Sequence, residues 1–290
     1  MKDQNVRRSI ALSCLLFVLV VGLSAQNTQL GSVPVDPRAH AAATRLRLVK
    51  FEDSSYGRSR NVWVYTPRKY DPHSATAYPL MIAFDGDDYR ESIPLPFILD
   101  TLAEARRAPA FVALLIDNSE GAARIADLGN AHKMVEFLSK QLIPYVRAHW
   151  RATTDPRRVI VTGSSAGGLG AAFVALERPD LFGNVFSQSG AFWRGAEASN
   201  DAPYEWLTSE VVKLPKRDVR FFLDVGAKED HATLGGSGPN FLHANRRFRD
   251  ALKATGYSVD YTEVPDGQHA PIFWVPRLPV GIVALTSEWK

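Results

Sequence analysis

The chain has 290 residues, of which 46% are hydrophobic and 22% are charged. This balance is typical of a globular protein and excludes a fibrous or disordered chain. The 34 basic and 31 acidic residues give a net charge of +3, which is too balanced to favour a nucleic-acid partner.

Residues 1–25 are typical of a secretory signal peptide. Basic residues come first, residues 10–23 are mostly apolar, and the small residues Ser24 and Ala25 follow. We expect cleavage after Ala25, which makes the protein secreted or periplasmic, with no membrane contact after cleavage. An uncleaved anchor is the alternative, although the apolar run is shorter than the roughly 20 residues of a comfortable membrane span. The only cysteine, Cys14, lies in this segment, so the mature chain has no thiol nucleophile.

The remaining chain is predicted to be a flexible lead-in over 26–43 and a single domain over 44–290. Two stretches of alternating polar and apolar residues, 45–51 and 60–66, predict an antiparallel hairpin with one solvent-exposed face. Short, continuously apolar runs then alternate with stretches of helical spacing, which predicts an α/β fold with a mainly parallel central sheet and helices on both faces. The strand candidates are 79–84, 110–116, 158–162, 220–225 and 257–264, and the helix candidates are 97–107, 131–150, 166–177 and 240–255.

The most informative motif is G-x-S-x-G at residues 163–167, centred on Ser165. A strand candidate precedes it and a helix of small residues follows, which is the strand-turn-helix setting of a nucleophile elbow. The glycines permit a turn so tight that the serine hydroxyl stands clear of the sheet. Ser164 occupies the variable position and is not chosen, and a glycine-rich turn with a buried serine is the alternative interpretation.

A serine hydroxyl needs a base to take its proton. In α/β-hydrolases the chain order is Ser, acid, His, and three histidines follow Ser165. His269 lies in a loop after the last strand candidate, where this fold places its base. His243 falls in a helical pattern, which favours a surface or packing role, and His231 is the second-best base.

The orienting acid is expected in the loop after strand candidate 220–225. Glu229 and Asp230 both lie there, and either can hold the imidazole of His269 in the right tautomer. A metal site built from these two acids with His231 and His243 is the competing interpretation. The absence of an H-E-x-x-H motif or a close ligand pair at helical spacing disfavours it.

Acyl transfer also needs donors for the developing oxyanion. One donor is the Ala166 N–H, which follows the nucleophile directly. The second is expected from the loop after strand candidate 79–84, and we assign it to the Asp87 N–H, because Gly86 before it allows close backbone approach. The alternative is a D-G turn that merely ends a strand.

Together these residues resemble the enterochelin esterase-like branch of the esterase D and feruloyl esterase group, which are α/β-hydrolases. The similarity covers residues 59–290, and its landmarks are 78–86, 124–128, 142–146, 182–193, 226–229 and 267–269 followed by Trp274. The resemblance implies an α/β-hydrolase fold and a serine esterase that works through an acyl-enzyme. It favours Glu229 over Asp230 as the acid and implies no metal or organic cofactor.

We therefore predict an exported serine carboxylic-ester hydrolase acting on short or aromatic acyl esters of feruloyl, acetyl or siderophore type. Its partner is a small-molecule or glycan-linked ester. Candidate substrate contacts are Arg124, Trp193 and Arg194, whose alternative role is packing or structural. The alternatives for function are an acyltransferase on the same scaffold and a non-catalytic binding protein, and the complete Ser-His-acid set disfavours the latter.

Overall fold

The structure of the chain, a computed structural model, describes residues 37–117, 121–129, 131–195, 205–230 and 240–289. The predicted signal peptide lies outside the described residues, as do residues 26–36 of the predicted lead-in. The last seven residues of the predicted flexible lead-in instead form helix α1 (Pro37–Ala43). This alanine-rich segment favours helix. It is also anchored, because Ala42 is fully buried and the Arg38 guanidinium lies 5.3 Å from the Phe97 ring.

Eight strands form one sheet, and the predicted hairpin and mainly parallel sheet are confirmed. Their order across the sheet is β1-β2-β4-β3-β5-β6-β7-β8. The pairings of β1 with β2 and of β2 with β4 are antiparallel, and every other pairing is parallel. The strands are β1 (Leu46–Asp53), β2 (Arg58–Tyr65), β3 (Leu80–Phe84), β4 (Val112–Ile116), β5 (Val159–Ser164), β6 (Asn184–Gln188), β7 (Arg220–Gly226) and β8 (Ser258–Val264).

Helices cover both faces of the sheet, as predicted. Successive residues of β3 enter two separate apolar clusters, because neighbouring side chains of a strand point to opposite faces: Ile82 and Phe84 belong to one cluster, Met81 and Ala83 to the other. The helices after α1 are α2 (Gly86–Glu91), α3 (Leu95–Glu104), α4 (Gly121–Gly129), α5 (His132–Glu136), α6 (Ile143–His149), α7 (Ala166–Glu177), α8 (Trp206–Val211), α9 (Phe241–Ala254), α10 (Pro271–Trp274) and α11 (Leu278–Thr286). Among the helices of the described ranges, none is long and apolar enough to span a bilayer.

The helix predicted over 131–150 is interrupted. α5 passes into a π-helical stretch, Phe137–Leu142, before α6 begins. Pro144 lies at the start of α6 and has no N–H for an ordinary helical hydrogen bond. The wider π turn accommodates this proline.

The carboxyl ends of β3, β5, β7 and β8 lie along one edge of the sheet. In open α/β sheets, ligand sites lie at this edge. β3 and β5 are direct neighbours, and β6 and β7 separate β5 from β8. Since adjacent strands lie about 4.8 Å apart, the loops that follow these strands meet in one small region.

Candidate active site

Ser165 lies in a strained turn between β5 and α7. Its backbone has φ 57° and ψ −121°, a conformation that costs a non-glycine residue about 1–3 kcal/mol. Two backbone hydrogen bonds hold it there. The Ser165 N–H donates to the Gln188 carbonyl at 2.9 Å, and the Ala191 N–H donates to the Ser165 carbonyl at 2.9 Å. The predicted strand-turn-helix is present, with Ser165 at its apex.

The glycines of the G-x-S-x-G motif are required by close packing. A Cβ on Gly163 would lie 2.5 Å from the carbonyl carbon of Gly167, which no real side chain tolerates. Ser164 is fully buried at the end of β5, whereas Ser165 is partly exposed. The exposed hydroxyl is therefore the one that an ester can reach.

His269 and Glu229 form a direct hydrogen bond. His269 Nδ1 lies 2.6 Å from Glu229 Oε2, and the acid is buried. Since a carboxylate oxygen only accepts, Nδ1 carries a proton, and in the neutral imidazole Nε2 then keeps a free lone pair. This is the tautomer that a general base needs.

The loops that carry the acid and the base interlock. We call residues 226–230 the acid loop and residues 265–269 the base loop. A Cβ on Gly226 would lie 2.3 Å from the Gly267 carbonyl oxygen, so the two loops touch along their backbones. The Lys228 N–H also donates to that carbonyl at 3.0 Å. Contact between the loops fixes the separation of the acid from the base.

Aromatic rings support His269 from two sides. The Phe241 ring lies 4.2 Å from the imidazole, and the Trp274 ring meets it edge-on at 5.1 Å. His243 is exposed on α9 and has the surface position expected of it. His231, the second-best base, lies outside the described residues.

The loop after β3 is shaped by Asp85 and Gly86. We call residues 85–88 the oxyanion loop. Asp85 adopts a left-handed conformation (φ 56°, ψ 52°) that turns the chain from β3 into α2. A Cβ on Gly86 would lie 2.6 Å from the backbone of Leu115, so the glycine permits close approach to β4. The close approach expected at Gly86 is present, and its partner is the neighbouring strand.

The two proposed oxyanion donors occupy matching positions. Asp87 lies in the first turn of α2 and Ala166 is the first residue of α7. Amides of a helix's first turn have no carbonyl partner within the helix, so they are free to bind an anion. The oxyanion loop also rests on α7, because a Cβ on Gly167 would lie 2.8 Å from Asp85 Oδ2.

Arg124 is committed to the protein itself. Its Nε and Nη2 donate to the two oxygens of Asp85, both at 2.5 Å, which makes a bidentate ion pair. The same helix, α4, carries buried Asp127, which accepts from Arg58 and Arg60 of β2. The candidate substrate contact at Arg124 is therefore better described by its structural alternative.

Trp193 and Arg194 follow Ala191 towards the site. The Arg194 guanidinium lies 5.0 Å from the Trp193 ring, and that ring meets Phe241 edge-on at 5.9 Å. Within the described ranges Arg194 has no ion-pair partner. Burial lowers the pKa of Arg194, and the positive charge of Arg124 lowers it further. Among the described residues, Arg194 therefore has a charge without an ion pair, whereas Arg124 is paired with Asp85.

Carboxyl groups around the oxyanion loop are crowded. Burial and, after it, the facing Asp87 carboxylate raise the pKa of Asp117 to about 6. Burial also raises the pKa of Asp88, with a second contribution from Asp85. Beneath the site, burial raises the pKa of Asp224 to about 7. In the part of the chain that the structure describes, no three His, Cys, Asp or Glu side chains are grouped to hold a metal ion.

The sequence interpretation gave Ser189 no role of its own and gave Trp274 no contact with the acid–base pair. Ser189 and Trp274 both contact the acid–base pair, directly or through one another. The only signal was their place within landmarks of the family resemblance, the Ser187-Gln188-Ser189-Gly190 run and the G-x-H segment. Residue chemistry and spacing gave neither residue a partner.

Comparison with known proteins extends over most of the chain. Residues 54–285 match the family described as "Putative esterase". The iron(III) enterobactin esterase of Dickeya dadantii is 32% identical over 246 residues, covering 80% of this chain and 53% of that protein. The ferric enterobactin esterase structure from Salmonella typhimurium is 28% identical, with a TM-score of 0.72, over 83% of this chain and 57% of that chain.

A ferulic acid esterase structure shares the fold, with a TM-score of 0.67 and 16% identity over 83% of this chain and 97% of that chain. The chain spans about half the length of the enterobactin esterases it matches. The resemblance to the enterochelin esterase-like group and the α/β-hydrolase fold are both confirmed. The chain belongs to the "Putative esterase" family.

Proposed function

We propose that this protein is an exported serine carboxylic-ester hydrolase with Ser165 as nucleophile, His269 as base and Glu229 as orienting acid. The observation that carries the proposal is the 2.6 Å hydrogen bond between His269 Nδ1 and buried Glu229. It lies at the same sheet edge as the strained, partly exposed Ser165. A strained serine and an oriented imidazole at one edge serve acyl transfer better than any packing role.

The proposed reaction passes through an acyl-enzyme. Ser165 Oγ attacks the ester carbonyl carbon while His269 Nε2 takes the hydroxyl proton. The Ala166 and Asp87 N–H groups stabilise the oxyanion. Collapse of the tetrahedral intermediate breaks the bond to the alcohol, which leaves with the proton from His269. Water then repeats the sequence on the acyl-enzyme, and the acid product leaves.

For the substrate we propose short or aromatic acyl esters, of feruloyl, acetyl or siderophore type. The aromatic path from Trp193 through Phe241 to His269 gives a planar acyl group a surface to stack on. Relatives named as enterobactin esterases favour the siderophore type. The expected compartment is outside the cytoplasm, and N-terminal sequencing of the exported protein tests it, because cleavage after Ala25 leaves Gln26 first.

The first experiment is hydrolysis of p-nitrophenyl acetate, butyrate and a long-chain ester, with methyl ferulate beside them. Ser165→Ala is expected to lower kcat by about three decades or more on every ester that the wild type hydrolyses. Ser164→Ala is the matched control, because its hydroxyl is buried one residue away, and it should keep most of the activity. A fluorophosphonate probe should label Ser165 in the wild type and in Ser164→Ala.

Two outcomes overturn the proposal. One is a Ser165→Ala rate equal to that of the wild type. The other is probe labelling that persists in Ser165→Ala. Adding a sugar or lipid alcohol to the assay separates hydrolysis from acyl transfer, because a transferase yields a new ester in place of the free acid.

Arg194 gives the substrate proposal its own test. An ester with a phenolate or carboxylate beside the acyl group should pair with this cation, whereas a neutral ester of equal size should not. Arg194→Gln is expected to lower kcat/KM for the anionic ester about tenfold and to leave the neutral one nearly unchanged. Arg107→Gln, at an exposed position after α3, is the control. Equal losses on both esters would remove Arg194 from substrate recognition.

A further inference from the structure

We propose that Ser189 and Trp274 form a hydrogen-bond relay that positions Glu229, and with it His269, for catalysis. This inference rests on the proposed function, because it assigns a positioning role to two residues that hold the orienting acid. Neither residue touches the ester in the scheme above, so both are positioning residues. The contacts are two short side-chain hydrogen bonds between groups that are 85 and 40 residues apart in the chain.

The direction of the relay follows from chemistry. An indole Nε1–H only donates, a hydroxyl both accepts and donates, and an ionised carboxylate only accepts. Trp274 Nε1 lies 2.9 Å from Ser189 Oγ, and Ser189 Oγ lies 2.6 Å from Glu229 Oε1. The indole therefore occupies a lone pair of the hydroxyl, and the hydroxyl proton points at Glu229.

Glu229 is then held by three donors. Oε1 accepts from the Ser189 hydroxyl and from the Gly226 N–H at 2.9 Å, and Oε2 accepts from His269. The first two donors fix the plane of the carboxylate, which leaves Oε2 facing the imidazole. The acid is about 1% exposed, so water does not replace a missing donor at low cost.

Ser189 is itself held in place by the backbone. Its φ is 48°, a left-handed value that a serine adopts only when its surroundings impose it. The Ser189 N–H donates to the Asp224 carbonyl at 2.7 Å, so the residue is tied to β7 just before the acid loop begins. Its side chain is buried, and the hydroxyl contacts both Glu229 and Trp274.

Trp274 acts on both members of the acid–base pair. Its N–H reaches Glu229 through Ser189, and its ring meets the His269 imidazole edge-on at 5.1 Å. Its carbonyl accepts from the Gln188 side-chain amide at 3.0 Å, which ties α10 to β6, the strand directly before Ser189. One side chain therefore sets the positions of base and acid together.

The test compares hydroxyl and indole variants on the best ester from the panel above. Ser189→Ala is expected to lower kcat about 10- to 100-fold with KM nearly unchanged, since a buried charge loses one donor. Trp274→Phe keeps a ring beside His269 and removes the N–H, so it should cost about three- to tenfold. The double variant should be no worse than Ser189→Ala alone, because without the hydroxyl the indole N–H no longer acts on Glu229.

A pH profile separates positioning from general damage. A carboxylate with one donor fewer attracts the imidazole proton more strongly. The acid limb of kcat/KM should therefore lie at higher pH in Ser189→Ala than in the wild type. Ser187→Ala is the matched control. Its hydroxyl is buried on β6, two residues before Ser189, with no hydrogen-bond partner among the described residues, and the variant should shift neither kcat nor the profile.

If the alanine variant folds poorly, Ser189→Gly replaces it in the test. Glycine adopts the left-handed backbone conformation without strain and also lacks the hydroxyl. Equal kcat and equal acid limbs in Ser189→Ala, Ser189→Gly and Ser187→Ala would overturn the relay. That result leaves the proposed function intact as long as Ser165→Ala is inactive. Wild-type activity in Ser165→Ala would instead overturn the proposed function.

Discussion

The two loops that flank Ser165 treat buried carboxyl groups in opposite ways. In the acid loop, a single carboxylate, Glu229, accepts from His269, Ser189 and the Gly226 N–H. Around the oxyanion loop, several carboxyl groups lie close together, and fewer hydrogen-bond donors contact each of them. There Arg124 neutralises Asp85, while the pKa values of Asp88 and Asp117 are raised.

The difference matches what each loop has to do in the proposed reaction. A carboxylate that orients a base has to stay acceptor-only, so the fold surrounds it with donors. Carboxyls near an oxyanion oppose the charge that forms there, unless a proton or an arginine neutralises them. Beside Asp87, whose N–H is the proposed donor, Arg124 neutralises Asp85, and the raised pKa of Asp117 makes that carboxyl easier to protonate.

The largest effect is expected from a change at the orienting acid, Glu229. Glu229→Gln keeps the size of the side chain and its contacts with Ser189 and Gly226. An amide does not stabilise an imidazolium, and it permits the wrong tautomer of His269. We expect kcat to fall by about 10⁴-fold with the fold intact. Steady-state kinetics measures the fall, and thermal unfolding checks the fold.

Asp230→Asn is the control for this change, because Asp230 is the neighbouring acid that residue order alone left open. It should keep kcat within a fewfold of the wild type. The reverse ranking, with Asp230→Asn the more damaging variant, would move the orienting role to Asp230.

The second prediction removes the neutralising cation from the oxyanion loop. Arg124→Leu leaves Asp85 buried without its bidentate partner, and we expect a loss of about 2–4 kcal/mol in the free energy of unfolding. Urea unfolding measures it. The double variant Arg124→Leu with Asp85→Asn should recover part of the loss, since no charge is then left unpaired. No recovery would mean that packing of the arginine stem, and not its charge, carries the effect.

Local pattern was sufficient for much of the fold. Runs of apolar residues predicted the buried strands except β6, and the glycines around Ser165 predicted the tight turn, because each depends on neighbours a few residues away. The chain order Ser, acid, His selected His269, and the structure places it against Glu229. The π-helical stretch and α2 were not predicted, since a proline inside a helical pattern and a six-residue helix have weak local signatures.

Long-range contacts were beyond the sequence. From the sequence alone, Arg124 is equally consistent with an unpaired cation. Only the fold brings Asp85, 39 residues away, against its guanidinium. The Trp274–Ser189 contact joins residues 85 apart, one in α10 and one in the loop after β6, whose meeting depends on strand order. No local signal distinguishes such partners from the other polar residues of the chain.

The last and smallest prediction concerns Asp117, the carboxyl on the oxyanion side whose pKa is raised. The folded pKa of Asp117, about 6, lies above its ordinary value of 3.8. The native state therefore binds this proton more tightly than the unfolded chain does. The resulting stability is fully present below about pH 3.8 and is lost as pH rises through about 6. Asp117→Asn keeps an acceptor for the Trp63 indole and does not titrate.

We expect Asp117→Asn to reduce the fall in melting temperature between pH 5 and pH 8 by about 2–4 °C, because a half-buried group is worth on the order of 1 kcal/mol after solvent screening. Part of the slope should remain, since Asp224, beneath the acid side, has a raised pKa of about 7 and acts in the same direction. Asp266→Asn, at an exposed position, is the control and should leave the slope unchanged. A slope identical in Asp117→Asn and the wild type would mean that Arg90, which binds Asp87, already neutralises this pair without a shared proton. The carboxylates of the acid loop and of the oxyanion loop would then both be stabilised by hydrogen-bond donors. The contrast between the two loops would rest on the raised pKa of Asp88 alone.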